Sequence, residues 1–285
     1  MRNRQFALYH SYIDIYAIFY SSKATEMQLR QHLDVLDVTE TIGRIQPMGQ
    51  IYDELEQDIL FQHGMNACLN CGICTAVCPA AEVYDYSPRE VMNIVSTQDD
   101  DLIIDELLKS DKIWFCGQCF SCKSRCPRGN STASVILALR RLSVRHGYFA
   151  ESEKGRQQLI AKRLFGENML KRGYTLLAEN MAPEHFPELG ENWEYYYEHQ
   201  AEMREWWGVP MNLENSAGSH RQIPEEDMDE LREIYHKTGA VTLMDAVEAG
   251  MERKLGSKAE VDKYWQTWLE TADSRNYELP KSKSR

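Results

Sequence analysis

The residues of this chain with the most distinctive chemistry are its cysteines, which form two copies of one pattern. The first run, CLNCGICTAVCP, has cysteines at positions 68, 71, 74 and 78 and ends at Pro79. The second run, CGQCFSCKSRCP, has them at positions 116, 119, 122 and 126 and ends at Pro127. These two runs account for all 8 cysteines. The spacing C-x2-C-x2-C-x3-C-P is typical of [4Fe–4S] cluster ligands.

The spacing also predicts which thiolates share a cluster. Three cysteines two residues apart on a tight loop can each reach a different iron of one cubane, whereas the fourth points away and reaches the cubane of the other run. We therefore expect two [4Fe–4S] clusters with exchanged fourth ligands. The first ligand set is Cys68, Cys71, Cys74 and Cys126, and the second ligand set is Cys116, Cys119, Cys122 and Cys78.

Zinc sites and disulfide bonds are the alternative uses of these cysteines. Zinc favours C-x2-C pairs that are separated by a longer loop. A disulfide framework is typical of small secreted chains. A compact run of four cysteines followed by proline fits neither pattern well, so the iron–sulfur interpretation is favoured.

The elements that must position these cysteines are predicted to be helices. In SPREVMNIV, Ser87 is the expected N-cap and Pro88 the first helical residue. The segment DDDLIIDELLKSDKIWFC follows, with Leu102, Ile103, Leu107 and Leu108 predicted on one face. After the second run, Asn130 or Ser131 is expected to cap a helix that Gly147 ends. No alternating strand pattern lies near either run.

Charge and hydropathy limit the partners and the location. The formal net charge of −12 argues against nucleic acid or an anionic membrane as the main partner. No segment has the roughly 18–20 apolar residues of a membrane helix. The closest is FALYHSYIDIYAIFY, from Phe6 to Tyr20, which fits an amphipathic helix or a leader ahead of a start at Met27. We expect a cytoplasmic protein, peripheral to a membrane complex only through its partners.

The C-terminal half predicts further helices but no chemistry. Residues 185–210 hold three tyrosines and three tryptophans, which favour an aromatic patch packed on the cluster domain or on a partner over a ligand box. Three helices are expected to start at Pro224, Thr242 and Ser257. Their acidic excess predicts either a docking surface or a solvated face.

The chain is thus predicted to be all-α, in four parts. These are an N-terminal helical extension (1–48), a domain with two clusters (49–150), a C-terminal helical extension that could dock a partner (151–280) and a tail (281–285).

The two cysteine runs, together with SPREV, WFCGQCFSCKSRCPRG and LRRLSVRHGY, resemble the α-helical ferredoxin superfamily, and within it the C subunit of heterodisulfide reductase. The resemblance covers about Gly49 to Ala150. It implies an electron-transfer subunit that connects a flavin or iron–sulfur donor subunit with a B-type subunit, which has CCG motifs. It implies no catalytic residue in this chain, which has no CCG motif of its own.

Two other interpretations remain. The chain could be the iron–sulfur subunit of another oxidoreductase, of the succinate, glycerol 3-phosphate or hydroxy-acid dehydrogenase type. It could also be a scaffold that uses its clusters only to fold.

Overall fold

The computed structural model describes residues 51–210, 213 and 220–271. These residues form helices and helical turns, with no β-sheet among them, which confirms the predicted all-α class. They divide into two compact units, whose described parts are 51–156 and 157–271. The predicted extension over 1–48, with its segment from Phe6 to Tyr20, and the tail at 281–285 lie outside the described residues.

The described part of the unit that contains the cysteines, residues 51–156, has seven α-helices. They are α1 (Ile51–Gln57), α2 (Ile59–Gly64), α3 (Ile73–Ala76), α4 (Pro88–Ser96), α5 (Asp100–Ile103), α6 (Ser121–Arg125) and α7 (Thr132–His146). A π-helical turn over Ile104–Leu108 continues α5, and short 3₁₀ turns cover Pro79–Glu82, Lys112–Phe115 and Tyr148–Glu151. The first cysteine run surrounds α3 and the second surrounds α6.

Helix α7 forms the centre of this unit. Its side chains Val135, Ile136 and Leu139 are fully buried, and α2, α4 and the π-helical turn pack against it. At the start of α7, the Ser131 amide donates to the Gly64 carbonyl oxygen at 2.8 Å. A Cβ on Gly64 would lie 3.0 Å from the Ser131 oxygen, so glycine is needed there. This contact holds together the chain before the first run and the chain after the second.

The predicted helix ends in this unit are largely confirmed. Ser87 caps α4, with its hydroxyl oxygen accepting from the Glu90 amide at 3.3 Å, and Ser131 caps α7. Gly147 ends α7 with a φ of 79°. The predicted face of the α5 segment is wrong at one position, because Leu102 is 36% exposed while Ile103, Leu107 and Leu108 are buried. The π-helical turn breaks the periodicity on which that prediction rested.

The described residues of the second unit form six α-helices. They are α8 (Gln157–Ala161), α9 (Glu167–Arg172), α10 (Glu191–Trp206), α11 (Glu225–Lys237), α12 (Ala240–Leu255) and α13 (Lys258–Thr271). A π-helical turn covers Lys162–Gly166, and 3₁₀ turns cover Ala178–Asn180 and Pro187–Leu189. Pro224 and Ser257 precede α11 and α13 as predicted. Thr242 does not start α12, since Gly239, with a φ of 76°, lets that helix begin at Ala240.

Charged side chains connect three elements of this unit. The Glu248 carboxylate on α12 accepts from Lys162 Nζ at 2.8 Å and from Arg163 Nε and Nη2 at 2.9 and 3.0 Å. Arg163 also pairs with Asp262 of α13 at 2.9 Å. Burial raises the pKa of Glu248, but the bonds from Arg163 and Lys162 outweigh it and hold the pKa below its ordinary value.

The aromatic segment predicted over 185–210 contains α10. Tyr195, Trp206 and Trp207 are exposed, while the Trp193 indole donates to the Met181 carbonyl oxygen at 2.8 Å. Among the described helices, none combines the length and the apolar character needed to cross a membrane.

Candidate iron–sulfur centre

The four thiols of the first ligand set line one open cavity. Three of them, Cys68, Cys71 and Cys74, come from the loop before α3 and from α3 itself, whereas Cys126 follows α6. The first run alone therefore contributes three thiols to this cavity, and the fourth comes from the second run. Four thiols around one space form the donor set of a [4Fe–4S] cluster, so these residues fit the group that the spacing predicts.

The backbone of the first loop is shaped for a negatively charged group. Asn70 and Gly72, on either side of Cys71, have φ values of 54° and 79°. Left-handed residues that alternate with ordinary ones turn successive amides toward one point and form a nest for anions, as at many iron–sulfur sites. The Asn70 amide lies 3.4 Å from Cys68 Sγ.

The second loop has the same backbone shape with different side chains. Gln118 and Phe120, on either side of Cys119, have φ values of 52° and 58°. A bulky residue such as Phe120 rarely takes this conformation, because its Cβ crowds the backbone. The two loops therefore share this left-handed backbone conformation because their cysteines have the same spacing. It does not depend on a glycine, since Phe120 takes the place of Gly72. The Gln118 side-chain amide also donates to Cys116 Sγ at 3.4 Å.

The thiols of the second ligand set lie close enough to affect one another. Burial raises the pKa of Cys116 to about 12, and the nearby thiols of Cys122, Cys78 and Cys119 add to the increase. Burial also raises the pKa of Cys78, with Cys119 and Cys122 as its neighbouring thiols. Cys78 of the first run thus lies beside the cysteines of the second run.

The two ligand sets are neighbours. Helices α3 and α6 pack against each other, and the thiol of Cys122 helps burial to raise the pKa of Cys74. With their raised pKa values, the metal-free thiols of Cys74, Cys78 and Cys116 keep their protons at neutral pH, so iron must displace those protons when it binds.

A buried hydroxyl lies next to the second ligand set. Tyr86 is 6% exposed, and its hydroxyl lies beside the Cys116 thiol without a hydrogen bond of regular geometry among the described residues. Burial raises the pKa of Tyr86 well above its ordinary value, and the nearby thiols of Cys116, Cys78 and Cys122 raise it further. A buried hydroxyl that lacks a good acceptor is costly. A cluster held by Cys116 would offer sulfur acceptors beside this hydroxyl, so the second ligand set also fits the group.

A buried arginine supports the start of the second loop. Arg140 of α7 is 1% exposed, and its guanidinium donates to the carbonyl oxygens of Ile113 and Cys116, both at 2.8 Å. Its carbon Cζ lies 5.3 Å from the centre of the Trp114 ring. Burial lowers the pKa of Arg140 to about 9, so the side chain stays charged at neutral pH.

Two exposed arginines flank the cavity of the first ligand set. Arg89, at the start of α4, donates to the Asn70 side-chain oxygen, and Arg128 follows the second run. A Cβ on Gly72 would lie 3.8 Å from Arg89 Nη1, so the guanidinium lies over the first loop. Sequence reasoning did not assign a role to Arg89, Arg128, Tyr86 or Arg140. Of these four residues, only Arg89 and Arg128 could have been noticed in the sequence, because they lie in the SPREV and CPRG motifs that carry the resemblance.

Within the described part of the chain, no three His, Cys, Asp or Glu side chains are grouped closely enough for a single metal ion. A cubane has a different requirement, because each of its four thiolates binds a different iron and they must surround the whole cluster. The wide spacing of the thiols therefore suits a cluster and does not suit a single metal ion.

Comparison with known proteins supports the same chemistry. Residues 64–130 match the family described as 4Fe-4S dicluster domain. Over 88 residues the chain is 41% identical to the C subunit of ferredoxin:CoB-CoM heterodisulfide reductase from Methanosarcina acetivorans. The aligned residues cover 31% of this chain and 34% of that protein.

Two further relatives have the same kind of name. The iron–sulfur C subunit of CoB–CoM heterodisulfide reductase from Methanopyrus kandleri is 33% identical over 99 residues, which cover 35% of this chain and 48% of the relative. An iron–sulfur C subunit of the same enzyme from Methanocaldococcus jannaschii is 32% identical over 136 residues. These residues cover 48% of this chain and 64% of the relative. The chain thus spans between a third and two thirds of these relatives. The resemblance seen in the motifs is confirmed: this chain is similar to the C subunit of heterodisulfide reductase, through a segment that matches a 4Fe-4S dicluster domain.

Proposed function

We propose that this chain is an iron–sulfur electron-transfer subunit of a heterodisulfide-reductase-like complex. It relays electrons through two [4Fe–4S] clusters, held by the first and second ligand sets, to or from a catalytic partner subunit. The observation that carries the proposal is the cavity lined by Cys68, Cys71, Cys74 and Cys126. That grouping takes three thiols from one run and one from the other, as a pair of clusters with exchanged ligands requires.

The protein residues have three tasks in this proposal. The eight thiolates would hold the iron, and the clusters would supply one-electron chemistry. The nests at Asn70–Gly72 and Gln118–Phe120 direct amides toward negative charge, which stabilises the reduced state and raises its potential. Tyr86 and Gln118 supply polar hydrogens near the second ligand set. Each cysteine is used as a ligand, so none remains to act as a redox dithiol.

The partners in this proposal are those that the resemblance of the cysteine motifs implies. A B-type subunit with CCG motifs would carry out the disulfide chemistry, and a flavin or iron–sulfur subunit would deliver or remove electrons. A reducing compartment such as the cytoplasm suits a chain that keeps all eight cysteines as thiolate ligands and forms no disulfides. Contact with a membrane would occur only through the partners.

An anaerobic redox experiment tests this function. The purified chain is reduced with dithionite, an acceptor is added, and the visible absorption of the clusters is followed. We expect a dye to reoxidise the protein, and we expect a disulfide, fumarate or a quinone to do so only when a partner subunit is present. Turnover of a disulfide by this chain alone would contradict the relay. Failure of dithionite to reduce the clusters would contradict it as well.

A further inference from the structure

The mouth of the first cavity combines exposed apolar side chains with an exposed ligand. Leu69 is 61% exposed and Ile73 is 38% exposed, and both line the cavity next to the exposed Cys71. Leu69 lies between two cysteines of the loop and adds little to the core at this exposure. Apolar side chains that are grouped at the surface around one site indicate a contact with another molecule.

The charge at this mouth is opposite to that of the whole chain. Arg89 and Arg128 are exposed and line the cavity, and of the described residues that line it, none is Asp or Glu. The stretch from 116 to 130 contains Lys123, Arg125 and Arg128 and no acid. The chain as a whole has 44 acidic against 32 basic residues. A local basic surface on an acidic protein directs an acidic partner to this one face.

The geometry of the mouth suits electron transfer. Cys71 is the exposed ligand of the first set, so a redox centre in a partner placed over Leu69 and Ile73 would lie close to the cluster. Complexes that exchange electrons use small interfaces, in which a few apolar contacts lie inside a charged rim. Leu69 and Ile73 provide the apolar part, and Arg89 and Arg128 provide the charged part.

We propose that this mouth, formed by Leu69, Ile73, Arg89 and Arg128, is the docking face for an acidic protein that carries one electron. The proposal rests on the proposed relay function and adds to it the site and the charge of the electron donor. In the transfer, one electron would pass from the reduced carrier to the cluster that the first ligand set would hold. The carrier would be oxidised and the cluster reduced, with no proton and no covalent bond exchanged.

The test is anaerobic stopped-flow mixing of the oxidised full-length protein, with its clusters, and a reduced ferredoxin of low pI. We expect the second-order rate constant to fall by about tenfold or more from about 0.01 M to about 0.15 M salt, as the Debye length shortens from roughly 30 Å to roughly 8 Å. Arg89→Gln and Arg128→Gln should each lower the rate constant by about threefold or more at low salt. Lys237→Gln makes the same charge change on an exposed lysine of α11 and should leave it unchanged.

The apolar contact is tested at the higher salt concentration. Leu69→Ser should lower the rate constant there, whereas Leu189→Ser, at a 41% exposed leucine of the other unit, should not. Reduction by the methyl viologen radical provides a control, because this reductant is positively charged whereas the ferredoxin is negatively charged. Replacing Arg89 or Arg128 should leave that rate unchanged or raise it, and a fall with both reductants would show that the cluster itself has changed and would overturn the docking assignment.

Other outcomes would also overturn the proposal. The rate constant with ferredoxin could be independent of salt and of both arginine substitutions, while dithionite still reduces the clusters. That result would reject this docking face but would leave the relay function standing. A change in self-association with Leu69→Ser, measured by sedimentation velocity without any change in rate, would assign the face to a second copy of this chain. Failure of reduction by dithionite would reject the relay function itself.

Discussion

The guanidinium of Arg140, inside the core, donates a hydrogen bond of 2.8 Å to the carbonyl oxygen of Cys116, the first ligand of the second loop. Its second bond, also 2.8 Å, goes to the carbonyl oxygen of Ile113 at the turn that leads to this loop. The position of the second loop is therefore fixed from the central helix of the unit, and not only by its own sequence.

Removing this support should release the second cluster first. In Arg140→Met, a buried carbonyl oxygen at Ile113 and a partly buried one at Cys116 lose a donor, at a cost of up to about 1–3 kcal/mol each. We expect the visible absorption to decay at least about tenfold faster in the presence of an iron chelator. Arg141→Met is the matched control, since this neighbour is partly exposed and pairs with Asp58 at 2.6 Å. Equal decay rates for the two variants would contradict the role given to Arg140.

The exchange of fourth ligands predicts that substituting the last cysteine of each run damages the cluster held mainly by the other run. Cys78→Ser should damage the cluster of Cys116, Cys119 and Cys122, although Cys78 belongs to the first run. Cys126→Ser should damage the other cluster. Iron content and the EPR spectrum of each variant show the grouping, with Cys71→Ser and Cys119→Ser as references. If Cys78→Ser loses the same signal as Cys71→Ser, the exchange is wrong.

The buried Tyr86 hydroxyl predicts a shift in potential without loss of metal. In Tyr86→Phe, the second cluster should retain its iron but lose one hydrogen bond, which is worth about 1 kcal/mol. Because hydrogen bonds to cluster sulfurs stabilise the reduced state, the midpoint potential of that cluster should fall. A redox titration monitored by EPR measures the shift. Tyr84→Phe serves as the control, since the Tyr84 ring stacks on Phe115 at 4.5 Å and is only partly buried.

The division after Arg156 leads us to propose that the cluster unit folds without the C-terminal helices. A chain that ends at Arg156 should keep the iron content of the full-length protein, because every ligand lies before this point. We expect it to bind partner subunits more weakly, as the C-terminal helices are our candidate for docking. Iron analysis and a binding assay with a B-type subunit measure the two effects. Loss of iron would show that the helices after Arg156 are needed for the cluster fold.

The ion pairs around Glu248 predict a pH dependence for the second unit. Glu248→Gln should lower its free energy of unfolding by about 1–3 kcal/mol at neutral pH. Since the folded pKa of Glu248 lies below the unfolded value of 4.5, this contribution is present above about pH 4.5 and is lost as the pH falls through the folded pKa. Hydrogen exchange of α12 peptides should therefore differ between the two proteins near pH 7 and converge in acid.

A matched control for that measurement is Glu233→Gln. Glu233 is an exposed residue of α11 that pairs with Lys237 at 2.6 Å. Its substitution should leave the exchange of α12 unchanged, because solvent screens exposed ion pairs. An equal effect of both substitutions would show that net charge, and not the buried network, controls the stability of this unit.

Sequence reasoning succeeded where the signal is local. Ser87, Gly147 and either Asn130 or Ser131 were predicted as helix ends from their own residue types and those of near neighbours, and the structure confirms Ser87, Gly147 and, of the two alternatives, Ser131. The cysteine spacing is another local signal, and it led to the resemblance that the relatives confirm. Leu102 failed because a π-helical turn shifts the helix face, which no residue type in that segment indicates.

The supporting residues of the site could not be predicted in this way. Tyr86 reaches the second ligand set from a loop ahead of α4, and Arg140 reaches Cys116 across 24 positions of sequence. Such contacts depend on how helices pack together, and a tyrosine or an arginine in a helical pattern has many other uses. The two ligand sets and their exchanged fourth ligands remain predictions that the substitutions at Cys78 and Cys126 can test.

The position of Cys122 has a consequence for how much charge the protein can store. This thiol lies near Cys74 of the first ligand set and near Cys78 and Cys116 of its own. With both clusters bound, an electron added to one places negative charge beside the other, and close charges in a protein interior interact strongly. The second electron would therefore need a stronger reductant than the first. With both proposed clusters in place, such a protein would hold one electron and pass it on before it takes another.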